Sequence, residues 1–168
     1  YCINKILTGI EITADDNVNL ESGVESSLNK IVATACFNVA PILREGIGVE
    51  KDLATAIEYY NKAASLGDAI ASYILGVLSH QNGDLYHGHT HFLRAANFGH
   101  IESQINVAAN YFYGEIVSQD KELAYYWAKI ASYQDDAEGR KLSSIIEKSL
   151  SKIQIEYLDA AILNFSDK

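Results

Sequence analysis

The chain repeats itself, and this repetition constrains its fold more than any other feature of the sequence. The stretch from Gly46 to Ala69 recurs sixty-eight residues later, from Gly114 to Ala137. The residues that recur in phase are Gly46, Val49, Asp52, Ala56, Tyr59, Ala63, Asp68 and Ala69, opposite Gly114, Val117, Asp120, Ala124, Trp127, Ala131, Asp136 and Ala137. A third, shorter copy lies between them. Periods of roughly 20 to 50 residues are typical of proteins built from stacked supersecondary units.

Each copy has the pattern of two amphipathic helices. Small and apolar residues at the first-helix positions Ala33, Ala35, Val39, Ala40, Leu43 and Gly46 correspond to Ala69, Ala71, Leu75, Gly76, Ser79 and Asn82, and then to Ile101, Ser103, Val107, Ala108, Tyr111 and Gly114. Each set ends in Gly or Asn, which tolerate the positive φ that often ends a helix. The second helices are predicted to begin at Asp52, Asp84 and Asp120, because an aspartate there accepts hydrogen bonds from unpaired backbone N–H groups.

The flanks of the repeats are less regular. The stretch from Gly9 to Asp15 resembles Gly46 to Asp52, and a helix capped by Asp15 or Asp16 is expected to run to about Lys30. Residues 1–30 are therefore interpreted as a degenerate N-terminal repeat or cap, 31–139 as the repeats, and 140–168 as C-terminal capping helices, the last of which starts at Ser151. Pro41 should kink or open the first repeat helix, since it cannot donate a backbone hydrogen bond.

The composition narrows the classes of function. The 168 residues are 48% hydrophobic and carry a formal net charge of −9, which argues against binding nucleic acid or docking on an anionic membrane. Such an acidic chain would suit a basic protein partner. No apolar run is long enough for a membrane span, so no membrane insertion is expected. Cys2 and Cys36 form neither a disulfide framework nor a metal-binding pattern, and are interpreted as small buried residues.

The repeated residues resemble those of the Sel-one-like repeat family, whose 36-residue units are related to tetratricopeptide repeats. The fullest match is Ala35, Val39-Ala40, Gly46, Gly48-Val49, Asp52, Ala56, Tyr59-Tyr60, Lys62-Ala63-Ala64, Gly67-Asp68 and Ala71. The resemblance covers roughly Ile31 to Gly139. It implies an all-α, right-handed superhelix, a solenoid of about three helix-turn-helix repeats with terminal capping helices.

Two departures limit what the resemblance implies. The middle unit replaces the Gly46–Asp52 loop with Asn82-Gly83-Asp84 and has His91 where Tyr59 stands in the first unit. The chain also lacks the paired cysteines that staple each unit in some relatives, so the β-lactam-binding activity attributed to some members of that subfamily is not expected here.

The chain shows no enzyme motif, and no cofactor is predicted. It has neither a nucleophile elbow nor a phosphate-binding loop. The histidines His87, His89 and His91 are the one stretch that resembles a metal site, and a metal-dependent enzyme or metal-binding protein using His87 and His91 is the alternative hypothesis. These two could supply two ligands from one helix face, whereas zinc sites need three or four. His91 is instead expected to be a packed aromatic of the core.

The remaining hypothesis is a binding surface. In tetratricopeptide-type arrays the first helix of each unit lines the concave face. The positions that the resemblance places there are Phe37, Arg44 and Glu45 in the first unit, Tyr73, His80 and Gln81 in the second, and Ile105, Phe112 and Tyr113 in the third. Tyr and Arg are enriched among residues that dominate protein interfaces.

These observations together predict a non-enzymatic protein–protein interaction module. It would bind its partner along the concave face or an edge of the array, either as a bacterial adaptor or scaffold, or as an inhibitor of the immunity type. Because the chain begins at Tyr1 and contains no methionine, its start does not distinguish a bacterial periplasm from a cytoplasm.

Overall fold

The computed structural model describes residues 18–166, with side chains described from 23 to 162. This part of the chain contains helices and no strands, which confirms the all-α prediction. The helices are α1 (Val18–Glu45), α2 (Leu53–Ser65), α3 (Ala69–Gln81), α4 (Leu85–Asn97), α5 (Ile101–Tyr113), α6 (Lys121–Tyr133), α7 (Ala137–Glu147) and α8 (Lys152–Ser166). No helix within the described range has the length and apolar content needed to cross a membrane.

Successive helices pack into a linear array. The pairs α1–α2, α3–α4 and α5–α6 form the most extensive contacts, and each pair joins the next through α2–α3 and α4–α5. Helix α7 packs on α6, and α8 also rests on α6. This arrangement is the predicted solenoid, in which each unit contacts mainly its neighbours. The direction of the superhelical twist and the domain boundaries at residues 30 and 139 remain predictions.

Small residues at the helix crossings let the helices approach one another closely. Ala40, Ala63, Ala64 and Ala71 are all completely buried, as are the later alanines Ala108, Ala124, Ala128 and Ala131. Large rings fill the space beside them: Tyr60, Phe92 and Trp127 are buried. The alternation of small and large side chains gives two clusters, one around Tyr60 and Leu75 and a larger one around Phe92 and Trp127.

Aspartates begin most of the helices. The side chains of Asp52, Asp84 and Asp120 accept a hydrogen bond from the backbone N–H three residues later, as the sequence predicted. Asp68 and Asp136 do the same for α3 and α7. Each such cap stabilises a helix by about 1 kcal/mol, because it satisfies a donor that the helix itself cannot pair.

The turn after the first helix of each unit follows the predicted chemistry in two units out of three. Gly46 and Gly114 adopt positive φ, at 73° and 71°. In the middle unit the prediction for Asn82 was wrong, since its φ is −84° and Gly83 takes the left-handed conformation instead. The shortened loop moves the turn by one residue because Asp84 must still cap α4.

Helix α1 is longer than the sequence predicted. The expected end near Lys30 does not exist, and one helix of 28 residues runs from Val18 to Glu45 through Pro41. The reason lies in Ile31-Val32, which occupy the places of Gly67-Asp68 one period later. Neither a residue suited to positive φ nor a capping side chain is present there, so nothing ends the helix.

Several sequence predictions lie outside the described residues. They concern Cys2, the resemblance of Gly9–Asp15 to the repeat loop, and the helix cap at Asp15 or Asp16. Cys36 is free and buried, as expected, and this burial raises the pKa of its thiol. Ser151 begins α8 with a reciprocal cap, in which the Ser151 backbone N–H donates to Gln154 Oε1 at 2.9 Å.

Two helix glycines predict opposite effects of alanine on stability. A Cβ on Gly76 would lie 2.5 Å from Cε1 of Phe92, whereas a Cβ on Gly23 would meet no atom within 4 Å. We expect Gly76→Ala to lower the free energy of unfolding by about 1–2 kcal/mol through overpacking. Gly23→Ala should raise it by about 0.5–1 kcal/mol, because alanine is the better helix former. Urea denaturation followed by circular dichroism measures both; stabilisation by Gly76→Ala would contradict this close packing.

Candidate partner-binding groove

A groove lies between α5 and α7, which both pack against α6. Its volume is about 570 Å³. The residues that line it are Ile105, Ala109 and Tyr113 from α5, and Ala137, Glu138, Lys141, Leu142 and Ile145 from α7. Most of these side chains are apolar, and Tyr113 and Ile145 are 62% and 42% exposed. Exposed apolar residues that converge on one concavity are typical of a binding surface.

The helical period of α5 places its three groove residues on one face. Ile105, Ala109 and Tyr113 are spaced by four residues, so they follow one another along the helix. Tyr113 is the last residue of α5, and its ring meets the edge of Phe112 at a centroid distance of 5.2 Å. The side chain amide of Gln119 donates to the Phe112 carbonyl at 2.7 Å, which ties the following loop to this helix end. The ring of Tyr113 thus packs against Phe112 on one side and is open to solvent on the other.

Helix α7 lies close against α6 because a glycine, which has no side chain, stands at their contact. A Cβ on Gly139 would lie 2.8 Å from Cβ of Ala131 and 2.9 Å from the Ser132 backbone nitrogen. The N–H of Gly139 donates to the capping carboxylate of Asp136 at 2.7 Å. This fixes the position of α7, and with it the distance across the groove to α5.

The residues that line the groove have no formal net charge, although the chain as a whole is acidic. Its lining contains one carboxylate, on Glu138, and one ammonium group, on Lys141. The formal charge of −9 is therefore carried by other parts of the molecule. A ligand in this groove would meet mainly apolar surface, with one charge of each sign on the α7 side.

The structure separates the nine residues predicted to face a partner. Ile105 and Tyr113 line the same groove. Phe37, Tyr73, His80 and Phe112 are half-buried, Arg44 pairs with the neighbouring Glu45 at 2.8 Å, and Gln81 is exposed at the end of α3. Whether any of the nine contacts a partner remains a prediction.

Three of the half-buried rings pack against rings that belong to neighbouring helices. Tyr73 stacks on His100 at 4.5 Å, and the edge of His80 meets Phe92 at 5.0 Å. Phe37 meets Tyr60 edge-on at 6.3 Å. His80 also lies directly against Gly88, which has no side chain to obstruct it. These residues hold neighbouring helices together, so their substitution would disturb the fold as well as any surface.

The α7 side of the groove was not predicted, because residues 140–168 were interpreted as capping helices. A signal was present in the sequence. Asp135-Asp136 stand where Gly67-Asp68 stand in the first unit, and Asp135 adopts the positive φ, 61°, of a turn glycine. The start of α7 thus resembles the start of a first helix in the repeat. Extending the register from Ile105 by thirty-six residues gives Lys141, which does line the groove.

Two other cavities differ from this groove in their surroundings. One of about 800 Å³ lies between the first half of α1 and the turns near Gly67 and Phe98. Another of about 430 Å³ is enclosed by α4, α6 and Ile162 of α8. Neither contains any of the nine residues predicted to face a partner. The groove between α5 and α7 contains two of them, and it is the candidate site.

The histidines do not converge on a common point. Within residues 18–166, no group of three or more His, Cys, Asp or Glu side chains is placed to hold a metal ion. His87 is exposed and pairs with Asp84 at 2.9 Å. The prediction that His91 belongs to the core was wrong: His91 is half-buried, and the buried histidine of α4 is His89. Burial, followed by the charge of Arg94, lowers the pKa of His91.

Comparison with known proteins agrees with this architecture. The family model of the Sel1 repeat matches residues 33–68 and 101–136. These two segments are Sel1 repeats. The matched segments include α2, α5 and α6 of the array, and the middle unit with its shortened loop lies between them. Sel1 repeats generally mediate protein–protein interactions and are not typically enzymatic.

A solved structure of a Sel1 repeat protein is similar in fold. A Sel1 repeat protein from Oxalobacter formigenes has a TM-score of 0.62 and 23% sequence identity, over 74% of this chain and 96% of that one. The protein c5321, a protective antigen of uropathogenic Escherichia coli with an SLR fold, has a TM-score of 0.49 and 21% identity, over 81% of this chain and 38% of its own. No curated protein sequence matches this Sel1 repeat chain significantly.

The geometry of the histidines predicts how the protein behaves toward zinc. His87 and His91 can supply two ligands, fewer than the three or four protein ligands of known zinc sites. We expect the chain, purified without a histidine tag, to contain far less than about one zinc per molecule by inductively coupled plasma mass spectrometry. Stoichiometric zinc that is lost in His87→Ala but kept in His100→Ala would instead support the metal-binding alternative.

Proposed function

We propose that this protein is a non-enzymatic interaction module that binds a segment of a protein partner in the groove between α5 and α7. The observation that carries this proposal is the convergence of Ile105 and Tyr113 with Ile145 of α7 on one exposed concavity. The resemblance to tetratricopeptide-type arrays independently places Ile105 and Tyr113 on the concave face. Their meeting with a third apolar residue in one groove supports a common role in recognition.

The energetics of such a contact would centre on Tyr113. Its ring is largely exposed in the free protein and adjoins Phe112, so a partner could bury apolar area without unfolding anything. Burial of an aromatic ring of this size contributes about 1.5–3 kcal/mol to binding. The ring stands at the end of α5, where a partner could pack against it directly.

Charge would act at longer range than the groove itself. The net charge of −9 favours the approach of a basic partner, whereas the balanced pair Glu138 and Lys141 leaves the contact mainly apolar. Long-range charge raises association rates more than it slows dissociation. We therefore propose a basic partner protein that presents an apolar segment to the groove.

Two roles are compatible with this mode of binding. As a bacterial adaptor or scaffold, the protein would connect its partner to a larger assembly. As an inhibitor of the immunity type, it would form a one-to-one complex with a single enzyme or toxin and abolish its activity. Purification of the complex and an assay of the partner's activity, with and without the protein, distinguish the two roles.

The groove predicts which alanine substitutions weaken the complex. We expect Tyr113→Ala to reduce affinity for the partner at least about tenfold, because one exposed anchor is removed without opening the core. Ile145→Ala should have a smaller effect in the same direction. Isothermal titration calorimetry with the purified partner measures both. Phe112→Ala is a poor test, since Phe112 packs against the buried cluster around Phe92 and Trp127.

A matched control lies on the last helix. Tyr157 is 73% exposed on α8 and does not line the groove, so Tyr157→Ala should leave affinity unchanged. A photo-crosslinking amino acid at position 113 should join the partner, and the same group at 157 should not. If Tyr113→Ala and Tyr157→Ala bind the partner equally well, the interface lies elsewhere.

The salt dependence of binding should distinguish long-range electrostatic attraction, which acts on the association rate, from contact in the groove, which acts on the dissociation rate. Raising the salt concentration from about 50 to 500 mM shortens the Debye length from about 14 to 4 Å, so the association rate with a basic partner should fall several-fold. The dissociation rate should change little, because the groove is mainly apolar. Surface plasmon resonance gives both rates. An association rate independent of salt would exclude a basic partner while leaving the groove in place.

A further inference from the structure

Two histidines sit at the junction between the middle unit and the unit that follows it. His89 lies in α4 and faces α5, while His100 begins α5 and faces α3. His89 is 4% exposed and His100 is half-buried. Both imidazoles therefore connect helices of the middle unit to α5, the helix that carries Ile105 and Tyr113.

His89 is held in its neutral form by its surroundings. Its Nδ1 lies 3.0 Å from the amide nitrogen of Asn110, and with the amide in this orientation the nitrogen donates and Nδ1 accepts. The ring also meets Tyr111 edge-on at 5.3 Å. Protonation would place a hydrogen on the accepting nitrogen and leave a charge in the interface between α4 and α5. No carboxylate acts on this ring.

His100 takes the place of the aspartate that caps α3 and α7. Its Nδ1 accepts a hydrogen bond from the Ser103 backbone N–H at 3.3 Å, and its ring stacks on Tyr73 at 4.5 Å. An imidazole can accept in this way only while that nitrogen is unprotonated. A protonated ring would lose the cap and add a positive charge at the positive end of the α5 dipole.

Few ionisable groups face these two rings. His80 from α3 and Tyr111 from α5 face His89, and the charge of His80 opposes its protonation. Tyr73 from α3 and Glu102 of α5 face His100. The carboxylate of Glu102 favours protonation of His100, but it is exposed and burial has the larger effect.

We propose that the junction between the middle unit and α5 is acid-sensitive: proton uptake by His89 and His100 releases α5 from α3 and α4. Because α5 forms one wall of the groove, mild acid would also weaken the partner site, and this consequence alone rests on the proposed function. The effect is confined to this junction. Most of the other capped helices in the described part of the chain begin at aspartates, which accept their hydrogen bonds until the carboxylates themselves protonate.

The direction of the effect follows from the protonation states. Burial is the main cause that lowers the pKa of both His89 and His100. In the unfolded chain these histidines take up protons near pH 6.5, whereas in the fold they do so only at lower pH. Stability is therefore complete above about pH 6.5 and is lost as the pH falls through the two lowered pKa values. His91, whose pKa is also lowered, adds to this loss of stability.

The test compares His100→Asp with wild type in urea denaturation between pH 7.5 and 5. Each proton taken up only by the unfolded chain raises the unfolding equilibrium constant up to about tenfold per pH unit. We expect the unfolding equilibrium constant of the wild type to rise in this way as the pH falls. In His100→Asp the rise should be smaller by up to about tenfold per pH unit, because aspartate remains an acceptor at pH 5. His87→Gln is the matched control and should keep the wild-type slope, since His87 is exposed.

Hydrogen exchange on the wild type provides the second measurement, and it needs no partner. After correction for the intrinsic effect of pH, amides of α5 should exchange at least several-fold faster relative to those of α2 at pH 5.5 than at pH 7.5, and His100→Asp should suppress the change. Equal pH slopes for wild type and His100→Asp, or an unchanged α5 to α2 ratio, would overturn the proposal. Partner affinity measured separately tests the groove, so the two hypotheses can fail independently.

Discussion

The structure depends on the close approach of neighbouring helices, which small side chains at fixed positions allow. Gly76 meets the ring of Phe92, Gly88 meets His80, and Gly139 meets the backbone of α6. At each place a single methyl group would collide with the adjacent helix. The buried alanines extend this close contact along the array, where the dispersion forces between packed helix surfaces add up.

The groove follows from the same constraint. Helix α6 packs against both α5 and α7, which also touch each other, and the concavity lies along the junction of these two helices. Gly139 fixes one wall and the Gln119 contact fixes the end of the other. A rigid frame of this kind fixes the helices that carry Ile105 and Tyr113, which suits recognition by shape. The proposed response of this frame to pH lies in the middle unit and its junction with α5, at His89 and His100.

Much of the fold could be predicted from residues that act locally. Asp52, Asp84 and Asp120 cap the helices that they were expected to begin, since a carboxylate three residues before a free N–H needs no tertiary help. The prediction that α1 ends near Lys30 was wrong, although the residues that let it continue, Ile31 and Val32, also act locally. In the candidate site, the resemblance to tetratricopeptide-type arrays indicates Ile105 and Tyr113, whereas α7 was expected only as a capping helix because its sequence departs from the repeat after Ala137.

The sequence by itself determined the helices, their order and their stacking, because periodic apolar residues, caps and turn glycines act over a few positions. Only the tertiary structure decided which side chains are free to meet a partner. Tyr73 occupies the position of Ile105 in the repeat, yet Tyr73 stacks on His100 while Ile105 lines the groove. That difference depends on what the neighbouring helix presents across the interface, and a periodic pattern along one chain does not contain it.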